Sequence, residues 1–320
     1  MQKILVVQPL HPKALAMLEA RSDIEFEVVT DFAEENLLQR VADADGITVR
    51  DAKLSEAVLA AAPKLRVVSR HGVGFDNIPV NYCSSRGIPV TVVGPVNAIS
   101  VAEHTIFLML AAARVGVHLD QSVRDGRFSE RSNSLSLELS GKTILLIGYG
   151  RIGREVAKRA RAFNMEVAVY DPYLNATEEG VTRFASLEEA LPTADVVSLH
   201  VPLTPETRNI LGAEELALLP LNAIVVNASR GGLIDETALA EAVARGAIHG
   251  AGLDTFDQEP LPVTSPLVGQ NRIVLSPHSA ALTEGSLIAM GMKTVENVLG
   301  GLDGRLDAQF VVNAAAIEGK

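Results

Sequence analysis

The 320-residue chain is poor in aromatic side chains and in cysteine. Aromatic residues make up 4% of it, tryptophan is absent, and Cys83 is the single cysteine. One cysteine excludes an internal disulfide framework and any metal site built from several cysteines. It also fits a reducing compartment. We therefore expect a cytoplasmic protein without a metal centre.

Basic charge and long apolar runs are scarce as well. Lysine and arginine number 28 against 39 aspartates and glutamates, which gives a formal net charge of −11. Nucleic-acid-binding surfaces normally carry the opposite sign, so we expect no nucleic-acid partner. The N-terminus lacks the apolar region of a signal peptide. The longest apolar stretch, Ile106–Ala113, is far shorter than the roughly 20 residues that span a bilayer, so we expect no membrane association.

The apolar residues follow an alternation of strands and helices. This alternation is typical of parallel βαβ units whose sheet is covered by helices on both faces. The first series of predicted strands comprises Lys3–Gln8, Ile24–Val29, Gly46–Val49, Leu65–Ser69 and Pro89–Val93. The second series comprises Thr143–Ile147, Glu166–Tyr170, Val196–Leu199, Ile224–Asn227, Gly250–Leu253 and Ile273–Leu275. The sequence thus predicts an α/β protein with two Rossmann-like, doubly wound parallel-sheet domains and a cleft between them.

Two helices and one connector are also predicted from the pattern. Ile99–Arg114 is apolar almost all round, which is typical of a buried helix or a helix at a subunit interface. The polar stretch Asp120–Ser140 shows no clear period and is predicted to be a surface connector. The last helix is predicted over about Leu282–Leu299. His104, in the apolar helix, is interpreted as a hydrogen-bonded core or interface histidine.

A glycine-rich turn joins the first strand of the second series to a helix. Its sequence is Gly148-Tyr149-Gly150-Arg151-Ile152-Gly153. Glycines at these spacings allow a tight turn, a close approach of the backbone to a pyrophosphate, and packing of the helix on its strand. The helix N-terminus offers free N–H groups to phosphates. Asp171 ends the next strand, where it accepts hydrogen bonds from ribose hydroxyls and repels a 2′-phosphate, so the pattern favours NAD over NADP.

Three later strands end in loops that contain an arginine, a carboxylate and an imidazole. Arg230, Glu259 and His278 follow consecutive predicted strands and should lie at the same sheet edge as the glycine-rich turn. An arginine holds a carboxylate or polarises a ketone through its fork of donors. A histidine exchanges a proton with the substrate oxygen, and a neighbouring carboxylate favours its charged form. This set is what hydride transfer to a 2-keto acid requires.

The ordered motifs resemble those of the D-isomer-specific 2-hydroxyacid dehydrogenase family. They are GYGRIG, YDP, HVPLTPET, NASRGGLID, LDTFDQEP and SPHSA, and the resemblance covers roughly Lys3 to Val312. It implies that Arg230 binds the substrate carboxylate and keto oxygen, that His278 is the acid and base, and that Glu259 keeps His278 protonated. It also implies a homodimer and a discontinuous substrate domain of residues 1–98 plus 287–320, with an NAD-binding Rossmann domain of residues 99–286.

The resemblance further implies which residues bind NAD. The set comprises Gly148, Gly150, Arg151, Ile152, Gly153, Asp171, Val201, Pro202, Thr207, Ala228, Ser229, Asp254 and Ala280. Within it, Asp254 would bind the nicotinamide amide and Thr207 would lie near the phosphates. Val201 and Pro202 would flank the adenine, and Ala228 and Ser229 the nicotinamide.

Residues of the first series are expected to bind the substrate. The resemblance assigns its carboxylate to Val73 and Gly74, and it places Asn97 near the substrate. Arg50 and Arg70 follow neighbouring strands and would suit a second anionic group such as a phosphate, as in the phosphoglycerate dehydrogenases of the family. Asp51 departs from that pattern, because a carboxylate repels a phosphate unless it is paired.

Three functions follow as hypotheses. The first is NAD-dependent interconversion of a D-2-hydroxy acid and its 2-keto acid, with 3-phosphoglycerate as the leading substrate. The second is a glyoxylate or hydroxypyruvate reductase, which does not need Arg50. The third, from another class, is a non-catalytic NAD-sensing module, which does not need an acid/base pair.

Overall fold

The computed structural model describes residues 1–133, 135–176 and 178–317. It divides into two compact units. Unit 1 consists of Met1–Asn97 and the segment from Leu282 onward, and unit 2 consists of Ala98–Ala281. The second division precedes the long helix Glu284–Leu302, whose N-cap Thr283 accepts a hydrogen bond from Ser286 N at 3.3 Å. The boundary expected from the sequence, at 286/287, falls inside that helix.

Elements alternate along the chain. Unit 1 begins with β1 (Gln2–Val7), α1 (Pro12–Glu19), β2 (Ile24–Val29), α2 (Glu34–Arg40), β3 (Gly46–Val49), α3 (Glu56–Ala60), β4 (Val67–Arg70), α4 (Val80–Ser85) and β5 (Val90–Thr91). Unit 2 contains α5 (Ala98–Ala113), α6 (Gly116–Arg124), β6 (Thr143–Ile147), α7 (Arg151–Ala162), β7 (Glu166–Tyr170), β8 (Val181–Arg183), α8 (Leu187–Ala190), β9 (Val196–Leu199), α9 (Ala213–Ala217), β10 (Ile224–Asn227), α10 (Glu236–Ala244), β11 (Gly250–Leu253) and β12 (Ile273–Leu275). Unit 1 resumes with α11 (Glu284–Leu302) and α12 (Ala314–Ile317).

Unit 1 is a five-stranded parallel sheet in the order β2-β1-β3-β4-β5. Its C-terminal segment is fastened to this sheet by polar bonds. Ser69 Oγ donates to Thr294 O at 2.9 Å, and Asn313 accepts from Val90 N and donates to Ile88 O, each at 2.9 Å. These bonds explain why the end of the chain belongs to the same unit as its beginning.

Unit 2 is a seven-stranded parallel sheet in the order β12-β11-β10-β9-β6-β7-β8. The strand order reverses between β6 and β9. In open parallel sheets ligands bind outside the carboxyl ends of the strands at such a reversal. Helix α5 covers one face so closely that a Cβ on Gly252 would lie 2.7 Å from Leu108 Cβ. The two predicted doubly wound parallel sheets are therefore confirmed.

Two expectations about residues 94–140 are corrected. The predicted connector begins as a helix, because α6 runs to Arg124, which pairs with Asp120 at 2.7 Å, while Ser122 is buried. Ser134, in the same stretch, lies outside the described residues. Residues 94–113 form a helical stretch long and apolar enough, by length and composition, to cross a membrane. The expectation that no segment is long enough, which was based on Ile106–Ala113, is thus corrected. Of residues 94–113, 61% is buried, as in a core helix.

Two glycines of α11 provide a matched test of its packing in unit 1. A Cβ on Gly301 would lie 2.6 Å from Val67 Cβ of β4, whereas a Cβ on Gly285 would meet no atom within 4 Å. We expect Gly301→Ala to lower the free energy of unfolding by about 1–3 kcal/mol through overpacking. Gly285→Ala should raise it by about 0.5–1 kcal/mol, because alanine loses less backbone entropy. Urea unfolding followed by circular dichroism measures both, and shifts of the same sign would contradict this packing.

Candidate active site

The glycine-rich turn between β6 and α7 has the geometry of a dinucleotide loop. Gly148 has φ +93°, and a Cβ there would lie 2.6 Å from His200 O. A Cβ on Gly153 would lie 2.5 Å from Gly148 O, so both positions require glycine. Gly150 has open space beside it and caps α7, which begins at Arg151. Free N–H groups at this helix end and the room beside Gly150 fit a pyrophosphate.

Asp171, at the end of β7, lies beside this turn. Its Oδ2 accepts from Tyr149 N at 2.9 Å, and its Oδ1 accepts from Tyr173 N at 3.0 Å. Two backbone donors fix the carboxylate next to the loop that fits the pyrophosphate. A carboxylate at this place hydrogen-bonds ribose hydroxyls in dinucleotide-binding domains. No arginine follows it before Arg183.

The loops after β9 and β10 are joined at the same sheet edge. Ser229 Oγ donates to Leu199 O at 2.8 Å, which ties the loop after β10 to the end of β9. Thr207 Oγ1 donates to Pro202 O at 2.7 Å and accepts from Thr204 N at 2.8 Å, which closes the loop after β9 on itself. The roles predicted for Val201, Pro202, Thr207, Ala228 and Ser229 toward a cofactor stay predictions.

Arg230 lies in a turn that Asn227 organises. Asn227 Nδ2 donates to Arg230 O at 2.7 Å, and Asn227 Oδ1 accepts from Ser229 N at 3.0 Å. Arg230 Nη1 donates to Ser229 O at 2.6 Å. The next residue, Gly231, allows a very close approach, since a Cβ there would lie 1.8 Å from Phe256 O. The arginine loop therefore packs directly against the loop that contains Glu259.

Glu259 and His278 form an ion pair. Glu259 Oε2 lies 2.8 Å from His278 Nδ1, and Glu259 Oε1 accepts from Phe256 N at 3.0 Å. Hydrogen bonding to Glu259 raises the pKa of His278, against the effects of burial and of the Arg230 charge. Burial acts to raise the pKa of Glu259, but the bonds from His278 and Phe256 N lower it overall. With Nδ1 directed at the carboxylate, the opposite ring nitrogen, Nε2, remains for a substrate.

His278 itself has a left-handed backbone, with φ 51°. Such a conformation is uncommon for residues other than glycine and persists where the surroundings hold it. His278 N donates to Asp254 O at 2.8 Å and to Ser276 O at 3.1 Å. The backbone N–H of His278 is thus held both by the residue that follows β11 and by a carbonyl of its own loop.

Asp254, which the resemblance assigns to the nicotinamide, holds the loop that carries His278. Its carboxylate is fully buried and accepts from Ser279 N and Ala280 N, each at 2.9 Å, and from the Ser276 hydroxyl. Burial acts to raise the pKa of Asp254, but these donors and His104 lower it overall. Ser276, Ser279 and Asn227 were not singled out from the sequence, although all three lie next to motif residues at strand ends. The contact of Asp254 with nicotinamide stays a prediction.

The predicted substrate residues lie in unit 1. Arg70 ends β4 and is paired in register with Val49, the last residue of β3. Arg50 directly follows Val49 in the chain. Arg50 Nη1 donates to Pro9 O at 3.2 Å, and Arg70 Nη2 lies 3.5 Å from Asp51 Oδ1. Burial, reinforced by the Arg50 and Arg70 charges, lowers the pKa of His71 to about 4. The charges of both arginines thus act on the same imidazole, and Asp51 pairs with Arg70.

The other predicted substrate residues differ in exposure. Val73 is 44% exposed, while Gly74 and Asn97 are half-buried. Gly72 O accepts from Val93 N at 3.1 Å, which anchors the start of this loop beside β5. Among the described residues, Asn97 Oδ1 is a buried oxygen without a hydrogen-bond partner. A buried amide oxygen in this state has an open acceptor position for a ligand, and its role toward a substrate stays a prediction.

Comparisons with known proteins find relatives along nearly the whole chain. Residues 106–280 match the family model described as D-isomer specific 2-hydroxyacid dehydrogenase, NAD binding domain. The chain is 44% identical over 317 residues to a D-3-phosphoglycerate dehydrogenase of Methanocaldococcus jannaschii, covering 98% of this chain and 60% of that protein. It is 34% identical to a glyoxylate reductase of Korarchaeum cryptofilum, covering 97% of this chain and 95% of that protein.

A solved structure matches as well. A protein of Thermus thermophilus superposes with a TM-score of 0.88 at 37% identity, covering 96% of this chain and 99% of that one. The family model spans more than half of the chain, and these relatives align with nearly all of it. The NAD-binding domain is therefore present, and the chain belongs to the D-isomer-specific 2-hydroxyacid dehydrogenase family.

Proposed function

We propose that the chain is an NAD-dependent oxidoreductase that interconverts a D-2-hydroxy acid and its 2-keto acid. The observation that supports this most directly is the Glu259–His278 pair at 2.8 Å, with the loop of Glu259 packed against the Arg230 turn. An NAD-sensing module without catalysis does not need an acid/base pair held in this way. The leading substrate is 3-phosphoglycerate, because the chain is similar to D-3-phosphoglycerate dehydrogenases; it spans 60% of the one from Methanocaldococcus jannaschii.

The proposed roles of the residues follow from their charges and bonds. In oxidation, C2 of the hydroxy acid loses a hydride while His278 Nε2 takes the proton of its hydroxyl group. NAD, when bound, supplies the hydride acceptor. Arg230 holds the substrate carboxylate and stabilises charge on the reacting oxygen through its planar donors. In reduction, protonated His278 returns the proton to that oxygen, and the pKa raised by Glu259 keeps this proton available.

The predicted cofactor set fits NAD in this proposal. Gly148, Gly150 and Gly153 shape the turn. The first residues of α7, Arg151 and Ile152, would offer N–H groups to the pyrophosphate, and Asp171 would accept hydrogen bonds from the ribose hydroxyls. A fixed carboxylate at the ribose favours NAD because it repels a 2′-phosphate.

A glyoxylate or hydroxypyruvate reductase is the second candidate function. Asp51 favours it, because its pairing with Arg70 at 3.5 Å offsets part of the positive charge that a phosphate would need. The relative from Korarchaeum cryptofilum, which the chain covers almost completely, is named glyoxylate reductase. The two candidates share the reacting groups of unit 2 and differ in what Arg50 and Arg70 contribute in unit 1.

We also propose a homodimer located in the cytoplasm. Large apolar side chains are exposed along α5, α6 and the segment that follows. They are Phe107 (51% exposed), Val117 (54%), Val123 (58%), Phe128 (61%) and Leu135 (79%). Exposed apolar surface of this kind supports a subunit interface. A monomer mass in light scattering would contradict the dimer.

The assignment of His278 predicts a loss of turnover without a loss of cofactor binding. We expect His278→Ala to lower kcat for reduction of 2-keto acids by about 100-fold or more, because the proton donor is removed. NADH binding, followed by its fluorescence, should stay within about twofold. His118→Ala serves as the control, because it removes an imidazole of α6 that is paired with Glu130. Near-normal turnover of the His278 variant would refute the assignment.

The Glu259–His278 pair predicts a shift in pH dependence. Glu259 raises the folded-state pKa of His278, so Glu259→Gln should lower that pKa. Reduction needs protonated His278, so the rate of reduction by Glu259→Gln should begin to fall at a lower pH than that of the wild type. Oxidation needs neutral His278, so it should persist to lower pH. Glu103→Gln, which changes an exposed acid on α5, should leave both pH–rate profiles in place, and unshifted profiles for Glu259→Gln would contradict the coupling.

Arg50 and Asp51 allow the two substrate classes to be distinguished. The measurement is the ratio of kcat/KM for phosphohydroxypyruvate to that for hydroxypyruvate. If a phosphate binds here, Arg50→Ala should lower the ratio about 10- to 100-fold, since a charge-assisted hydrogen bond is lost. Asp51→Asn should raise the ratio, since a repelling charge is removed. Ratios unchanged in both variants would support the reductase of unphosphorylated acids.

A further inference from the structure

The loop that carries His278 is bonded at both ends to one face of α5. Ser100 Oγ donates to Ala280 O at 2.6 Å, and His104 Nε2 lies 2.9 Å from Ser276 Oγ. Ser100 and His104 are four residues apart, so they lie one above the other on the helix. The segment Ser276–Ala280 is thus held at its first and last residues, with His278 at its centre.

Counting protons fixes the direction of the bond between His104 and Ser276. Asp254 Oδ1 is an ionised acceptor, so the hydroxyl proton of Ser276 goes to it. Ser276 Oγ has then no proton left and must accept from its other neighbours. These are His104 Nε2 at 2.9 Å and Ser279 Oγ at 2.9 Å. His104 Nε2 therefore bears a proton and donates it.

The surroundings of His104 suit such a fixed donor. Its side chain is 19% exposed, and its ring packs on Phe107 with centroids 5.5 Å apart. Nε2 also lies 3.3 Å from Asp254 Oδ1, so the donor faces a fully buried carboxylate as well as the hydroxyl. Loss of this donor would leave Ser276 Oγ and Asp254 with fewer donors in a buried place, where each missing bond is costly.

We propose that His104 is a positioning residue that, with Ser100, holds the Ser276–Ala280 loop so that His278 keeps its place against Glu259. The proposal rests on the function proposed above. His104 acts through Ser276 and Asp254 and touches none of the three proposed reacting side chains in the contacts described. The sequence alone indicates only a hydrogen-bonded core or interface histidine at this position.

Three variants of α5 test the proposal. His104→Ala removes the donor, and His104→Gln places an amide N–H at a similar reach without a titratable group. Thr105→Val is the matched control, because its hydroxyl bonds within α5 to Val101 O at 2.8 Å. Hydrogen exchange read by mass spectrometry reports the backbone N–H groups of Ser279 and Ala280, which donate to Asp254. Steady-state kinetics and NADH fluorescence report kcat, KM and cofactor binding.

We expect His104→Ala to accelerate exchange in the loop about tenfold and to lower kcat about 10- to 100-fold, the range typical of residues that orient a functional side chain. NADH affinity should change less than about threefold. His104→Gln should restore most of both losses, and Thr105→Val should cause neither. Wild-type exchange and kcat in His104→Ala, or a His104→Gln variant as impaired as His104→Ala, would overturn the proposal.

The two proposals fail in different ways. A wild-type protein that reduces no 2-keto acid would refute the proposed enzyme, and the exchange data would still show whether His104 holds the loop. If the wild-type protein turns over 2-keto acids and His104→Ala has the same kcat and the same loop exchange, the positioning role alone is refuted.

Discussion

The buried carboxylate of Asp254 is the constraint on which the candidate site depends. A charged group without exposure must be surrounded by donors, because its transfer out of water costs several kcal/mol. Here the donors are two backbone N–H groups and a hydroxyl of the loop after β12. The same hydrogen bonds therefore satisfy the carboxylate and hold the loop after β12 in place. His278 lies between those donors in the sequence, and its left-handed backbone is also held by its own N–H, which donates to the main-chain oxygen of Asp254.

A second constraint comes from the parallel sheet itself. The strands of unit 2 all end at the same edge, so residues far apart in the sequence become neighbours there. At Gly231 and Gly148 the backbone of a neighbouring loop lies where a side chain would otherwise be. Gly231 permits the loop of Arg230 to contact the loop of Glu259. Gly148 permits the glycine-rich turn to contact the end of β9. The arrangement of charged groups thus depends on positions that bear no side chain.

Much of the fold was predictable from the sequence because strand–helix periodicity and strand-end motifs are local signals. β6, β7, β9, β10 and β11 match the predicted strands residue for residue. Helix α6 was missed because its apolar residues Val117 and Val123 are exposed, so no buried stripe marked it. The edge strand β8 was missed because it is three residues long and mostly polar. Short or exposed elements are set by tertiary context rather than by periodicity.

The candidate site was predictable only as far as motifs reach. Arg230, Glu259 and His278 were recognisable because each follows a strand end, but the role of Asp254 required knowing which donors surround it. Glu259 shows the same difference in detail. Its second oxygen accepts from Phe256 N at 3.0 Å, so the carboxylate is oriented by its own loop before it meets the imidazole. A partner oriented in advance loses less entropy on pairing, which explains how two half-exposed side chains, at 37% and 49%, sustain a raised His278 pKa.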